Sequence, residues 1–195
     1  MTNDPTVVKL GGSHALSPLL RDRFVAIRRA AGQIVVVPGG GPFADAVRTA
    51  RPAMGFDDDA AHDMAMMAMA QYRRALASLA DRFVYADTLE AVRDAVGHSE
   101  IPVWSPWPML RAHPDIPRSW DVTSDSLAVW LAGALNARRV VLIKHRAPAE
   151  TTDHDLLDAA FPHFTARFAG TVLIAGPDDL ATAATLFGGH PATIT

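Results

Sequence analysis

Lysine is the residue whose placement in this sequence most directly suggests chemistry. Only Lys9 and Lys144 occur, and the rest of the 18 basic residues are arginine. Lys9 lies inside the apolar run TVVKL at 6–10, and Lys144 directly follows the run RVVLI at 139–143. Both runs are typical of buried strands, where a solvated lysine is unusual. Each ammonium group can therefore stand beside a phosphate, although a carboxylate partner or a partly exposed strand face would also explain Lys9.

Two glycine turns directly follow predicted buried strands. GGS at 11–13 comes after TVVKL, and GGG at 39–41 comes after QIVVV at 33–37. Glycines allow a ligand to approach the backbone, and exposed N–H groups there can hold phosphate oxygens. Three consecutive glycines exceed what a structural turn requires. The two turns therefore predict a bound anion between them, in a phosphate-transfer site built from backbone dipoles and cations.

The segment DVTSDS at 121–126 begins a predicted helix. Asp121 or Thr123 can cap its N-terminus, and the helix dipole favours the carboxylate of Asp125 in the first turn. Those roles explain the residue types without any function. The functional alternative is that Asp125 orients both lysines across a site.

His62 lies on a long predicted helix that also carries a cluster of methionines. Methionines at helical spacing usually pack in a core. His62, Met66, Met69 and Arg73 share a second face of this helix, and that face could line a substrate pocket.

Several other kinds of site are excluded by the residues present. Cysteine is absent, which rules out a thiol nucleophile and a thiolate metal site. The histidines have no metal-ligand spacing, so no metal site is assigned. The glycine turns match neither a Walker loop nor the G-x-G-x-x-G pattern, and no G-x-S-x-G serine hydrolase motif occurs.

The composition predicts a cytoplasmic protein with a single domain over 1–195. Of its 195 residues, 49% are hydrophobic and 20% are charged, with a net charge of −3, which speaks against disorder and against a general nucleic-acid binder. No apolar run reaches the roughly 20 residues of a membrane span, and the N-terminus lacks the pattern of a signal peptide.

Short apolar runs alternate with amphipathic stretches along the chain. This order predicts an α/β fold, a three-layer α/β/α sandwich with a mainly parallel sheet, whose ligands bind at the carboxyl ends of the strands. The predicted strands are 6–10, 33–37, 83–85, 101–104, 139–143, 171–175 and an edge strand at 192–194. The predicted helices are 17–31, 43–51, 57–79, 88–96, 124–136, 153–160 and one ending near 186.

Three segments, in chain order, resemble those of the amino-acid kinase superfamily: VVKLGGS at 7–13, VVVPGGGPFADAV at 35–47 and SWDVTSDSLAVWLA at 119–132. The resemblance implies a three-layer α/β/α fold and phosphorylation of a carboxylate, phosphate or carbamate without a covalent enzyme intermediate. It implies ATP as the donor, with Mg²⁺ carried by the ATP. It also implies a homo-oligomer that acts on a small molecule, with no nucleic-acid or membrane partner.

The same resemblance suggests roles for individual residues. Lys9 matches the lysine that contacts phosphate, and Asp125 matches the aspartate that organises the lysines. With Lys144 as the second cation, these three are the predicted catalytic residues. The nucleotide phosphate loop matches Gly11, Gly12 and Ser13. The predicted substrate-binding residues are Gly39, Gly40, Gly41, His62, Asp121, Thr123 and Ser124.

Within the superfamily, three segments are similar to the aminomethylfuran-phosphate kinase branch of methanofuran biosynthesis: AAHDMAMMAMAQY at 60–72, IPVWSPWPML at 101–110 and IPRSWDVTSDSLA at 116–128. That similarity implies extension of an existing phosphate monoester to a diphosphate. The substrate would be an aminomethylfuran phosphate or a similar phosphorylated metabolite in the biosynthesis of a one-carbon carrier.

Two departures from the family pattern keep other interpretations open. After RVVLI, a loop that usually contains Asp-Gly reads KHRAPAE at 144–150, and the usual C-terminal Gly-Thr reads Ala192-Thr193. The nucleotide half is therefore predicted to be shortened. A second interpretation is a non-catalytic ligand-binding or storage subunit on the same fold. A third is a carboxylate kinase of amino-acid metabolism.

Overall fold

Six parallel strands form the central sheet of the protein, whose computed structural model describes residues 4–29, 33–107, 109–146, 156–176, 179 and 186–187. Their spatial order is β3-β4-β2-β1-β5-β6. This confirms the predicted parallel sheet. The strands are β1 (Thr6–Leu10), β2 (Ile34–Pro38), β3 (Phe83–Ala86), β4 (Ile101–Trp104), β5 (Arg139–Ile143) and β6 (Thr171–Ala175).

Helices cover both faces of this sheet, which confirms the predicted three-layer α/β/α fold. Most of them follow a strand, as expected for right-handed crossovers between parallel strands. The helices are α1 (Leu20–Arg29), α2 (Gly41–Met54), α3 (Asp58–Ala77), α4 (Leu89–Gly97), α5 (Ser124–Leu135) and α6 (Phe161–Thr165), together with a short 3-10 turn at Gly12–His14.

The sheet separates two apolar cores because successive side chains of a strand point to opposite faces. In β1, Val7 packs into the core that contains Leu127 and Leu131 of α5. Val8 and Leu10 pack into the opposite core, beside α1 and α3. The same two-residue period puts Lys9 on the face of Val7, towards α5.

Three predicted helices differ from those observed. The helix predicted over 43–51 is longer, because α2 spans Gly41–Met54. Residues 156–160 form turns, so the helix predicted over 153–160 is wrong for that part, and 153–155 lie outside the described residues. The first helix begins at Leu20 and not at residue 17, because the Ser17 hydroxyl accepts the Leu19 N–H at 3.2 Å and holds a turn there. The predicted edge strand at 192–194 also lies outside the described residues.

Helices in the described part of the chain are too short or too polar to cross a membrane.

Candidate active site

Lys9 and Lys144 are brought to one face of the sheet by the pairing of β1 with β5. Leu10 lies opposite Ile143, so Lys144 comes one residue beyond that pair. The Lys144 N–H donates to the Ala175 carbonyl at 2.8 Å, which continues the ladder to β6. Both side chains face α5, and both residues are buried.

Asp125 lies between the two ammonium groups. Its Oδ1 is 2.8 Å from the Lys9 Nζ, and its Oδ2 accepts a hydrogen bond from the Lys144 Nζ at 2.5 Å. The Lys144 Nζ also donates to the Leu156 carbonyl at 2.6 Å. Asp125 therefore contacts both lysines, as the functional alternative requires. Its position in the first turn of a helix does not by itself explain these two ion pairs.

This buried cluster, Lys9–Asp125–Lys144, holds two potential cations against one carboxylate among the described residues. A second carboxylate would balance the charge, but the described residues place none in contact with either ammonium group. Burial of unbalanced charge is costly. The arrangement is thus suited to an incoming anion.

The charges of the cluster change the pKa of two of its members. Burial disfavours the charged form of Asp125, but the neighbouring Lys9 and Lys144 outweigh burial and hold the pKa of Asp125 below its usual range. Burial and then the charge of Lys9 lower the pKa of Lys144 to about 8. An anion bound nearby would reverse part of that lowering, because it favours the charged form.

Asp158 caps helix α5, a role that the sequence analysis gave to Asp121 or Thr123. Its Oδ2 accepts the backbone N–H groups of Thr123 and Ser126, each at 3.0 Å, and the Thr123 hydroxyl at 2.8 Å. The Ser126 hydroxyl donates to the other carboxylate oxygen. Thr123 holds the N-cap position, but its side chain donates to Asp158 and does not cap the helix. Asp158 therefore fixes the turn that presents Asp125.

The two glycine turns touch each other directly. The Gly39 N–H donates to the Leu10 carbonyl at 2.8 Å. A Cβ on Gly12 would lie 2.3 Å from the Gly41 N, and one on Gly39 would lie 2.4 Å from the Gly12 N. Gly41 also has a φ of +56°, which favours glycine. The backbones leave no space for an anion at the point where Gly12 meets Gly39 and Gly41. An anion held by both turns stays a prediction.

This contact makes Gly12→Ala destabilising. The new Cβ would meet backbone atoms, which cannot rotate away, so we expect the free energy of unfolding to fall by about 1–3 kcal/mol. Gly133→Ala is the matched control, because Gly133 lies in exposed α5 backbone with nothing within 4 Å of its Cβ position. The control should gain about 0.5–1 kcal/mol from helix propensity. Urea denaturation measures both changes, and an unaltered Gly12→Ala protein would contradict the close contact.

A cavity of about 290 Å³ opens beside the glycine turns. Its wall contains backbone of both turns, the face of α3 and the segment before α5. Of the predicted site residues, the wall includes Gly12, Ser13, Gly39, Gly40, Gly41, His62, Thr123 and Ser124. The methionines Met66 and Met69, predicted to share a face with His62, also lie in the wall.

Other predicted site residues lie outside this wall. Lys9, Asp125 and Lys144 form the buried cluster described above, and Asp125 directly follows Ser124 of the wall. Gly11, predicted as part of the phosphate loop, also lies outside the wall. The side chain of Asp121 is exposed, and its carbonyl accepts the Ala160 N–H at 3.0 Å. Asp121 therefore binds, through its backbone carbonyl, the residue that precedes α6.

Arg73 also lies outside the cavity. Its guanidinium pairs with Asp87 and donates to the Ala86 carbonyl at 3.3 Å. Of the four residues predicted to share this face of α3, His62, Met66 and Met69 therefore line the cavity. Arg73 does not, because its guanidinium binds residues at the end of β3.

Arg48 and Trp120 line the cavity and were not singled out from the sequence. The Arg48 guanidinium lies 5.1 Å from the centre of the Trp120 ring and donates to the Asp45 carboxylate at 2.5 Å. Trp120 directly precedes the DVTSDS helix start, and this position was the one sequence feature that could have identified it as a site residue. Arg48 belongs to an amphipathic helix on which exposed arginines are common, so nothing in the sequence distinguishes it.

Within the described ranges, no group of three or more His, Asp or Glu residues is placed so that it could hold a metal ion.

Comparison with known proteins gives consistent results. The sequence profile of the Amino acid kinase family matches residues 4–146. A curated relative, the [5-(aminomethyl)furan-3-yl]methyl phosphate kinase of Methanocaldococcus jannaschii, is 29% identical over 138 residues, which are 70% of this chain and 63% of the relative. The chain thus spans less than two thirds of that relative's length.

Solved structures resemble the whole fold. The UMP kinase of Bacillus anthracis has a TM-score of 0.72 at 11% identity, covering 96% of this chain and 93% of its own. The uridylate kinase of Archaeoglobus fulgidus has a TM-score of 0.66 at 14% identity, covering 92% and 95%. At such low identity the likeness concerns the fold alone.

Proposed function

The chain belongs to the amino acid kinase family, and on this premise we propose that it is an ATP-dependent kinase of a small phosphorylated metabolite. The proposed acceptor is an aminomethylfuran phosphate, used in the biosynthesis of a methanofuran-type one-carbon carrier. The observation that carries the proposal is the buried Lys9–Asp125–Lys144 cluster, whose surplus positive charge lies at the carboxyl ends of β1 and β5.

The cluster suits a reaction that depends mainly on position and charge. In phosphoryl transfer, negative charge spreads over the oxygens of the moving group, and preorganised cations stabilise it. Lys9 and Lys144 would supply those cations, and Asp125 would hold both ammonium groups in place. No nucleophilic side chain is required.

The residues around the first glycine turn fit a bound nucleotide. A Cβ on Gly11 would lie 3.3 Å from the Lys9 Nζ, so the glycine leaves the ammonium group free to approach a phosphate. Gly12 and Ser13 start the 3-10 turn, where the first backbone N–H groups lack partners within the helix. When bound, ATP with its Mg²⁺ supplies the phosphoryl group. Gly11, Gly12, Ser13 and Lys9 would hold its phosphates.

The cavity fits the acceptor. Gly40 and Gly41 form the start of α2, where backbone N–H groups and the helix dipole favour a phosphate. Met66 and Met69 offer an apolar surface for a flat ring. The Methanocaldococcus jannaschii relative is named as a kinase of an aminomethylfuran phosphate. Support for the same acceptor here comes from that relative and from the mixed lining of the cavity.

The direct test combines the purified protein, ATP, Mg²⁺ and [5-(aminomethyl)furan-3-yl]methyl phosphate. The acceptor's phosphate oxygen would form a new bond to the γ-phosphorus of ATP, the bond to ADP would break, and a diphosphate ester would result. Phosphorus NMR should show equal amounts of ADP and diphosphate ester. Nucleotide binding without any turnover would favour the non-catalytic subunit. A hydroxylamine-trapped acyl phosphate from an amino acid would favour the carboxylate kinase.

Lys144 should impose an alkaline limit on this activity. Its pKa of about 8 means that the free enzyme loses this cation as the pH rises through that value. We expect kcat/KM to fall about tenfold per pH unit above about 8, since kcat/KM reports groups of the free enzyme. The steady-state rate measured across pH tests this expectation.

The matched variant for this pH profile is Lys144→Arg. A guanidinium stays protonated beyond a pH of about 12, so the alkaline limb should disappear even if the rate is lower. Thermal unfolding verifies that the variant is folded. An alkaline limb that persists unchanged in Lys144→Arg would assign the limit to another group.

The cytoplasmic location, the homo-oligomeric state and the shortened nucleotide half stay predictions that accompany this proposal.

A further inference from the structure

His62 is held in one tautomer by its backbone partner. The Nδ1 atom lies 3.2 Å from the Ser119 carbonyl oxygen. A carbonyl only accepts hydrogen bonds, so Nδ1 carries the proton, and in the neutral ring Nε2 is left with a lone pair. His62 is therefore a hydrogen-bond acceptor at Nε2.

The Nε2 atom has no partner among the described residues, although it is hidden from solvent and His62 is 3% exposed. His62 forms part of the cavity wall. A buried polar atom without a hydrogen bond is costly, and native proteins rarely leave one unless a ligand or another group uses it. Nε2 is thus an acceptor without a partner, in a residue that borders the cavity.

The surroundings keep the imidazole neutral. Burial is the largest effect and lowers the pKa of His62, and the charge of Arg118 lowers it further. The hydrogen bond to the Ser119 carbonyl and the charges of Asp63 and Asp59 oppose this, but the pKa stays below its usual value. Arg118 pairs with Asp63 at 3.0 Å and also with Asp59, which offsets those two carboxylates. A neutral ring can accept at Nε2 but cannot donate there.

Trp120 provides the complementary group in the same wall. Its indole Nε1 is also buried without a hydrogen-bond partner among the described residues. Indole nitrogen only donates. The wall residues therefore include one acceptor and one donor without a partner among the described residues, beside the apolar side chains of Met66, Met69 and Leu127.

We propose that His62 Nε2 accepts a hydrogen bond from a primary ammonium group of the phosphoryl acceptor, and that Trp120 Nε1 donates to an oxygen of the same molecule. The inference rests on the proposed function and names the part of the acceptor that this wall selects. An ammonium group only donates, which matches an atom that only accepts, and a hydrogen bond with one charged member is stronger than a neutral one. A hydroxyl in the same place would satisfy His62 less strongly.

Binding experiments with three ligands measure how much the amine contributes to the affinity of the acceptor. The acceptor [5-(aminomethyl)furan-3-yl]methyl phosphate is compared with analogues that carry a methyl or a hydroxymethyl group in place of the aminomethyl group. Isothermal titration calorimetry with the wild-type protein should give a Kd about 10- to 100-fold higher for the methyl analogue, the usual value of one hydrogen bond to a charged group. The hydroxymethyl analogue should fall between the two.

The variant His62→Asn removes the acceptor at Nε2 and keeps a donor for the Ser119 carbonyl. It should bind the amine and its methyl analogue equally, at the affinity that the wild type has for the methyl analogue. His62→Gln puts an amide oxygen within reach of the Nε2 position and should recover part of the preference. His98→Asn is the matched control, because His98 is exposed and its Nδ1 lies 2.8 Å from the Asp94 carbonyl oxygen.

The outcomes distinguish this inference from the proposed function. Equal wild-type affinity for the amine and the methyl analogue would overturn the inference and leave the kinase proposal standing. An equal loss of affinity for both ligands in His62→Asn would also overturn it, since His62 would then only support the wall. If none of the phosphate esters binds, the proposed acceptor and this inference both fail.

Discussion

Replacing Lys9 with alanine is expected to lower kcat by about 10²–10³-fold, the usual cost of losing one preorganised electrostatic contact. Lys9 is buried and its Nζ lies 2.8 Å from Asp125, so it can stabilise charge without reorganising. Its removal leaves Asp125 paired with Lys144, one cation against one carboxylate. The fold should therefore survive, and steady-state kinetics with the phosphate acceptor measures the loss.

Two further variants separate charge from packing at this position. Lys9→Met keeps an unbranched chain in the core and should lose as much kcat as Lys9→Ala. Arg138→Ala, a strongly exposed cation whose nitrogen lies 3.4 Å from Asp4, should leave kcat unchanged. If Lys9→Met kept wild-type kcat, the ammonium group would have no part in the reaction.

Asp125→Asn should have the largest effect on stability. The variant leaves two buried ammonium groups facing a neutral amide, and removal of one partner from a buried ion pair typically costs about 3–5 kcal/mol. The helix dipole alone would give a loss of about 1 kcal/mol or less. Urea denaturation followed by circular dichroism distinguishes these values. Activity should fall too, because the lysines lose the group that holds them.

A double variant tests whether the two lysines cause that loss. Adding Lys9→Met to Asp125→Asn removes one of the uncompensated cations, so the double variant should be more stable than the sum of the single effects predicts. Strict additivity would show that Asp125 does not interact with Lys9 in solution, and the charge cluster would have to be abandoned.

Most of the strands could be predicted because they are short runs rich in β-branched residues that end near a glycine, a proline or a helix start. Such information is local. The parallel sheet buries both faces, so runs such as VVLI at 140–143 are apolar at every position. Lys9 was noticeable for the same reason, since its charge interrupts the apolar residues Val7, Val8 and Leu10.

Contacts between residues far apart in the chain were harder to predict from the sequence. Asp158 caps α5 from more than 30 residues downstream, and no spacing rule links a carboxylate in a turn to a helix start so far away. The same interaction accounts for the absence of the predicted helix at 156–160, since Asp158, whose side chain caps α5, stands between turns. The sequence did place Asp125 with both lysines, because its family motif carries that relation.

The glycine turns illustrate a third limit. Their composition indicated a ligand, and a ligand remains the proposal. Their shape, however, is also set by contact of one backbone with another, at Gly12 and Gly41. Sequence patterns do not separate glycines that admit a ligand from glycines that admit a neighbouring loop, since both need the same missing Cβ.

That backbone contact has a consequence for how two reacting molecules would be aligned. The turn proposed to hold the nucleotide and the turn proposed to hold the acceptor are joined by the Gly39–Leu10 hydrogen bond and by the contact of Gly12 with Gly41. Neither turn can shift without the other. The separation of donor and acceptor would thus be fixed by main-chain atoms, which have no rotamers to sample, and the entropic cost of alignment would be met when the protein folds and not at each turnover.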